Sequence, residues 1–187
     1  MKFILKTDGL LYKKYDFILI LSPSAREYND LFLPPENYCT ELDFEFINDF
    51  IAMVNKKHKK EYINMLIVID DLIANVAKSR RETNLYSLIF NRRHLLLNGM
   101  ISILITTQKY MMLPTAIRSN ITLLISYQLN NLDWDSIYQE LVRIDYKVFK
   151  ATLKEIFQTP TDFMLYRIDN NTFFKKFKQI MLEIDNP

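Results

Sequence analysis

LIVIDDL, Leu66–Leu72, decides how the rest of the chain is read. Its aliphatic side chains follow one another without alternating with polar ones. A strand of that kind is buried on both faces, as in parallel sheets covered by other layers. Two carboxylates then follow directly. Acids at the end of an apolar strand are costly unless they reach solvent. The carboxyl edge of a parallel sheet lets them do so, and it is also where ligands bind in open α/β sheets.

Working outward, further runs share this texture: Asp16–Ser22 (DFILILS), Ile101–Thr107 (ISILITT) and Ile121–Tyr127 (ITLLISY). With Met65–Asp70 they predict the strands of a mostly parallel sheet. Helical patterns fall between them. Met1–Lys6 reads as the tail of a helix that stops at Gly9. Leu42–Lys57 carries an apolar face and ends on lysines, as the helix dipole prefers. Thr83–Leu97 reads as a helix with Thr83 as N-cap and Gly99 beyond its end. Strands alternating with helices predict a layered α/β domain.

After Tyr127 the texture changes. Asp133–Ile144 and Lys147–Gln158 read as helices, Thr161–Ile168 as one extra strand, and Asn171–Ile184 as a basic amphipathic helix. Ser22–Thr40, with Pro23, Pro34 and Pro35, is the longest expected loop. No repeat or Gly/Ser linker interrupts the 187 residues. They read as a single domain, with the core sheet and helices in 1–127 and the C-terminal additions in 128–187.

Composition narrows the classes. An apolar share of 49% and a charged share of 25% are an ordinary globular balance. A net charge of +2 does not by itself demand a nucleic-acid partner. Cys39 is alone, so no intrachain disulfide forms and a reducing compartment suits the chain. No apolar run approaches the roughly 20 residues of a membrane-spanning helix. The N-terminus lacks the longer apolar stretch of a secretory signal. His58 and His94 have no Cys or acid at zinc-ligand spacing. The lysine run around His58 (NKKHKKE) reads first as a solvated helix end, with contact to DNA phosphate as the less common alternative.

Three segments carry chemistry. A buried strand ending in acids is the Walker B element of nucleotide hydrolases. The first acid, Asp70, would hold the Mg²⁺ shell, and the next, Asp71, would orient or deprotonate the attacking water. A strand end followed by an Asp helix cap accounts for the same letters about as well. ISILITTQK, Ile101–Lys109, sets Thr107 and Gln108 at the carboxyl end of the next strand. Gln108 can there bond a γ-phosphate or the lytic water, although a polar loop start is the plainer account. LPTAIRSNITLLIS places Arg118 ahead of the fourth strand, where a guanidinium can reach a neighbouring subunit's nucleotide. A surface arginine is the more common explanation.

Together, LIVIDDL, NRRHLLLNGMISILITTQKY and LPTAIRSNITLLISY resemble the genome-packaging ATPases of large DNA viruses, virophages and Maverick-type elements, in the FtsK–HerA branch of P-loop NTPases. The resemblance runs from about Asp16 to Tyr127. It implies a three-layer P-loop NTPase-like α/β fold and an ATP-driven motor that moves viral or virus-like DNA into a capsid. It implies ATP and Mg²⁺, with Asp70 on the metal, Asp71 on the water, Gln108 on the γ-phosphate, Thr107 beside the nucleotide and Arg118 acting in trans. Arg92 and Arg93 fall in the matching helix as a second finger or a DNA contact. The implied partners are double-stranded DNA, a homo-oligomeric ring, and capsid or portal proteins, with no membrane. The implied location is cytoplasmic, in a viral factory or with the virion.

One departure is large. Members of this family begin with a strand followed by Gly-x-x-x-x-Gly-Lys-Ser/Thr. Here the glycines are Gly9 and Gly99, and neither precedes Lys-Ser or Lys-Thr. The backbone cradle for phosphates and its lysine are therefore missing. So is the first strand, expected between the last two core strands. The expectation is a chain that starts inside a longer reading frame, or that takes its loop from a separate piece, and that does not hydrolyse ATP alone. A non-catalytic structural or DNA-binding descendant is the competing reading. A conjugative-transfer ATPase would share the same motifs.

Overall fold

Ile63–Ile69 forms β3, an inner strand of a four-stranded sheet that also contains β1 (Phe17–Leu21), β2 (Tyr38–Cys39) and β4 (Gly99–Ile105), in the order β2-β1-β3-β4. All its pairings are parallel. Phe17 lies opposite Met65 and Leu21 opposite Ile69; on the other side Ile63 lies opposite Gly99 and Ile69 opposite Ile105. The computed structural model describes residues 13–73 and 80–181. The expected helix Met1–Lys6 with its Gly9 stop, and the end of the expected tail helix, lie outside them. The chain divides into two compact units, Met1–Gln108 and Lys109–Pro187.

The absence of alternation in β1 and β3 has a direct cause, which is cover on both faces. One face meets helix α1 (Phe44–Lys57), whose Ile47, Phe50, Ile51 and Val54 are buried, with Phe17 edge-on to Phe50. The other packs Ile20, Leu66 and Val68 against Tyr28, Leu31 and Leu33, carried by the 3-10 segment Ala25–Leu31 and the residues after it. Leu19, Ile20, Leu21, Met65, Ile67, Val68 and Ile69 are 0% exposed. Burying such a side chain is worth about 1.5–3 kcal/mol. Helix α1 starts at Asp43, whose carboxylate accepts the Glu45 and Phe46 N–H groups, and ends on Lys56 and Lys57.

Helix α2 spans Arg80–Asn91, so the expected cap Thr83 lies inside it, and the chain turns after Asn91 instead of continuing to Leu97. Gly99 opens β4 and does not close a helix. Its φ is +151°, and a Cβ there would collide with the Ile63 carbonyl.

The fourth strand of the parallel sheet is β2 and not Ile121–Tyr127. The latter run forms β5 (Leu123–Tyr127) in the second unit, antiparallel to β6 (Phe163–Arg167). With β7 (Thr172–Lys175) and β8 (Lys178–Gln179) it builds a separate four-stranded antiparallel sheet. The division between the compact units falls after Gln108, so β5 belongs to the second of them. The second unit has its own core, in which Trp134, Ile137 and Leu141 of α4 (Asn131–Leu141) and Phe149, Leu153 and Ile156 of α5 (Tyr146–Ile156) gather with Met164, Tyr166 and Phe173 of the sheet. The expected tail helix from Asn171 is instead the β7–β8 hairpin. Asn171 and Lys176 both take left-handed φ, at 51° and 56°, and turn the chain at either end of β7. Among the described residues β4 is an edge strand, and no helix is long and apolar enough to cross a membrane.

Candidate functional site

The carboxyl ends of β1, β3 and β4 lie side by side, and the ladder runs one residue past them. Asp70 N–H donates to the Leu21 carbonyl at 2.9 Å and Thr106 N–H to the Ile69 carbonyl at 3.0 Å. Ser22, Asp70 and Thr106 are thereby set in a row across the sheet.

Asp70 is the centre of that row. Its Oδ1 accepts Thr106 Oγ1 at 2.6 Å, and its Oδ2 accepts Tyr28 OH at 2.8 Å and Ser22 Oγ at 3.0 Å. Burial pushes the Asp70 carboxyl up, but the hydrogen bonds from Thr106, Tyr28 and Ser22 outweigh it and hold its pKa below the ordinary value. Burial and the Asp70 charge both raise the Tyr28 phenol, so Tyr28 stays a protonated donor. Asp71 follows with φ 55°, a left-handed backbone that Asp tolerates better than most residues. Its N–H donates to Thr106 Oγ1 at 3.0 Å. The Thr106 hydroxyl thus gives to one acid and receives from the backbone of the next. Gln108 Nε2 donates to Asp71 Oδ2 at 3.4 Å, a long bond between exposed groups.

The structure brings Asp70, Asp71 and Gln108 together. Thr107 is half-buried beside them, but the contact with the acids comes from Thr106. Ser22, Tyr28 and Thr106 are the residues that sequence reasoning missed. Ser22 and Thr106 carried a signal, since each is the first hydroxyl after an apolar run. Tyr28 carried none, because nothing local distinguishes a tyrosine in that loop.

Arg118 belongs to the second unit, at the end of the one-turn helix α3 (Thr115–Arg118). It is buried, pairs with Glu140 Oε1 at 3.1 Å, donates to Thr115 Oγ1 at 2.9 Å and lies over the Tyr110 ring. Tyr110 OH donates to Glu140 Oε2 at 2.7 Å, completing the cluster, while Arg118 Nε has no hydrogen-bond partner among the described residues. Arg92 and Arg93 precede β4 and so sit at the amino edge of the sheet, opposite Asp70; Arg92 Nη1 donates to the Ile89 carbonyl.

Among the described residues no group of His, Cys, Asp and Glu forms a protein cage for a metal. What Asp70 offers is an ionised oxygen donor. A carboxylate has about four acceptor positions, and among the described residues the donors from Ser22, Tyr28 and Thr106 fill three of them and leave one on Oδ1. That fits Mg²⁺, which keeps most of its waters and is held through one or two carboxylates and substrate phosphates.

The parallel sheet of four strands in an α/β chain has the P-loop NTPase-like fold of the packaging ATPase B204. The genome-packaging NTPase B204 of Sulfolobus turreted icosahedral virus 2, solved with AMP, matches with a TM-score of 0.58 at 14% identity, over 85% of this chain and 80% of that one. The DNA-packaging ATPase B204 of Sulfolobus turreted icosahedral virus matches with a TM-score of 0.56 at 17% identity, over 87% and 82%. No curated protein sequence matches the chain. Residues 3–185 match the Poxvirus A32 protein family, and the chain belongs to that family.

Proposed function

We propose that this chain is a subunit of an ATP-driven motor that moves viral DNA into a capsid, and that the row at the carboxyl edge of its first unit is the metal and water side of a nucleotide site. One observation carries this reading: Asp70 is held ionised by the hydroxyls of Ser22, Tyr28 and Thr106, with Gln108 reaching the neighbouring Asp71. Membership of the A32 family and the fold shared with the B204 packaging enzymes support it.

In this reading Asp70 is the residue that would hold Mg²⁺, through the carboxylate position its hydroxyl partners leave. The hydroxyls that fill its other positions keep the carboxylate from rotating. Bound Mg²⁺ would neutralise charge on the β- and γ-phosphates of ATP. Asp71 presents an exposed carboxylate that accepts a proton from, or orients, the attacking water. The long Gln108–Asp71 bond is easily exchanged, so Gln108 can turn its amide to a γ-phosphate. Thr107 stands next to the nucleotide. Arg118 can act in trans only by giving up Glu140, so it has the smallest part here. The phosphate cradle must come from another segment, because the 187 residues hold no Gly-x-x-x-x-Gly-Lys-Ser/Thr. A ring of subunits, capsid or portal proteins, and a place in the viral factory or virion complete the proposal.

The test is titration of the 187-residue chain with a fluorescent ATP analogue and Mg²⁺. Weak binding and no hydrolysis are expected; micromolar binding would refute the missing cradle. The engagement of Arg118 with Glu140 favours a second reading, a non-catalytic descendant that retains the sheet. An assembled motor that hydrolyses ATP equally well with Asp71→Ala would refute the water role of Asp71, and one that works equally well with Asp70→Ala and Asp71→Ala together in this chain would support that alternative.

A further inference from the structure

The sheet of the first unit is electrically polarised from end to end. The segments leaving its carboxyl ends carry Asp70, Asp71, Glu27, Asp30, Glu41 and Asp43, against Arg26 in the first of them and Arg80 and Arg81 at the start of α2. The segments entering its amino ends have the opposite character. Lys13 and Lys14 lead into β1. Lys56 and Lys57 close α1, and Lys59 and Lys60 then lead into β3. Arg92 and Arg93 lead, through Leu95–Asn98, into β4. Asp16, Glu61 and, ahead of β2, Glu36 are the acids set against them.

Parallel pairing puts these entry loops at one edge, and hydrogen bonds hold them there. Asp16 N–H donates to the Asn64 carbonyl, and Asn64 N–H donates to Asp16 Oδ2. Asn55 donates to the Leu95 carbonyl and accepts the Leu97 N–H, both at 2.8 Å. Asn98 Nδ2 donates to the Lys60 carbonyl. The lysines and Arg93 are exposed, and among the described residues no carboxylate pairs with Lys56, Lys57, Lys59, Lys60 or Arg93. Neighbouring strands are about 4.8 Å apart. The cations are therefore spread along a line instead of focused on one point, which matches a run of phosphates better than a single anion.

We infer that this basic amino edge binds the sugar-phosphate backbone of double-stranded DNA, opposite the nucleotide site. A net charge of only +2 for the whole chain conceals it, because acids at the other edge and in the second unit offset it. The identity of the polyanion rests on the packaging reading. Tyr62 and Leu97 are also exposed at this edge, which makes an acidic protein segment the rival occupant.

The test is fluorescence anisotropy of the full chain with a labelled random-sequence duplex, without nucleotide, from low to moderate salt. Replacing Lys56, Lys57, Lys59 and Lys60 by Ala should lower affinity at least tenfold. Since each phosphate contact contributes about 0.9 to the slope of log affinity against log salt, the slope should flatten by about 3 to 4. Arg93→Ala should give a smaller change in the same direction. A control with Lys147, Lys154 and Lys178 replaced by Ala in the second unit should bind as the parent does. The inference is overturned if the parent chain does not bind the duplex, if the four-lysine variant binds unchanged, or if the control loses as much. With no nucleotide present, failure here leaves the Asp70 reading standing, and failure of nucleotide binding leaves this one standing.

Discussion

The two units dispose of their polar groups in opposite ways. In the first, Asp70, Asp71, Thr106 and Gln108 meet at the end of a buried sheet, where an acceptor position and an exposed carboxylate remain open. In the second, charges close on one another. Arg118 is consumed by Glu140, Thr115 and Tyr110. Asp162, 2% exposed, accepts the Gln158 and Thr159 N–H groups and pairs with Lys175 and Lys176. Polar clusters that satisfy themselves hold a fold; those left partly open at a strand edge can take a ligand. This contrast is the reason the proposed chemistry is assigned to the first unit and a structural role to the second.

The comparison can be broken at several points. The largest effect belongs to Gly99→Val, which forces a side chain into the Ile63 carbonyl at a φ of +151°. A loss of roughly 3 kcal/mol or more is expected in urea denaturation; unchanged stability would mean that β4 does not enter the sheet in this register. Next is Arg118→Ala, which strands Glu140 and empties a buried cluster, with a loss of about 2 kcal/mol expected. A surface finger would leave stability unchanged, so this variant separates the structural role from the catalytic one.

Asp162→Asn should show itself mainly in acid. Burial raises this carboxyl, but the N–H and hydroxyl of Thr159 together with Lys176 and Lys175 hold it well below the carboxylate range. Its stabilisation is therefore complete above the unfolded value of about 4 and is lost as pH falls through the lower folded value. The variant should be less stable near neutrality and should lose less on acidification, as followed by circular dichroism. The smallest effect is Tyr28→Phe, which removes one donor to Asp70 and costs about 1 kcal/mol. Its sharper signature is an upward move of the Asp70 titration, read by carboxyl NMR.

The first unit was legible in the sequence because β1 and β3 are covered on both faces and so appear as unbroken aliphatic runs. The acid pair, followed by Gln108 one strand later, was legible because parallel order places strand ends together. Tyr28 was not, since its hydroxyl reaches Asp70 only through the path of the Ala25–Leu31 segment. In the second unit the helices α4 and α5 and the strand β6 stand where expected, but its first strand and its tail were misread for a related reason. ITLLISY has the same apolar texture as a buried parallel strand, although β5 pairs antiparallel with a strand much later in the chain (Tyr127 with Phe163). In the tail, Phe173, Phe174 and Phe177 fit a helical stripe as well as a hairpin, and only the Asp169–Asn171 turn signal argued otherwise.

The most direct test is paramagnetic line broadening by Mn²⁺–ATP, which reports weak binding residue by residue in the isotope-labelled chain. The amides of Asp70, Asp71, Thr106 and Gln108 should broaden first, and Asp70→Asn should abolish the effect. Broadening centred elsewhere, or persisting unchanged in Asp70→Asn, would contradict the assignment of the nucleotide-metal site to this edge of the sheet.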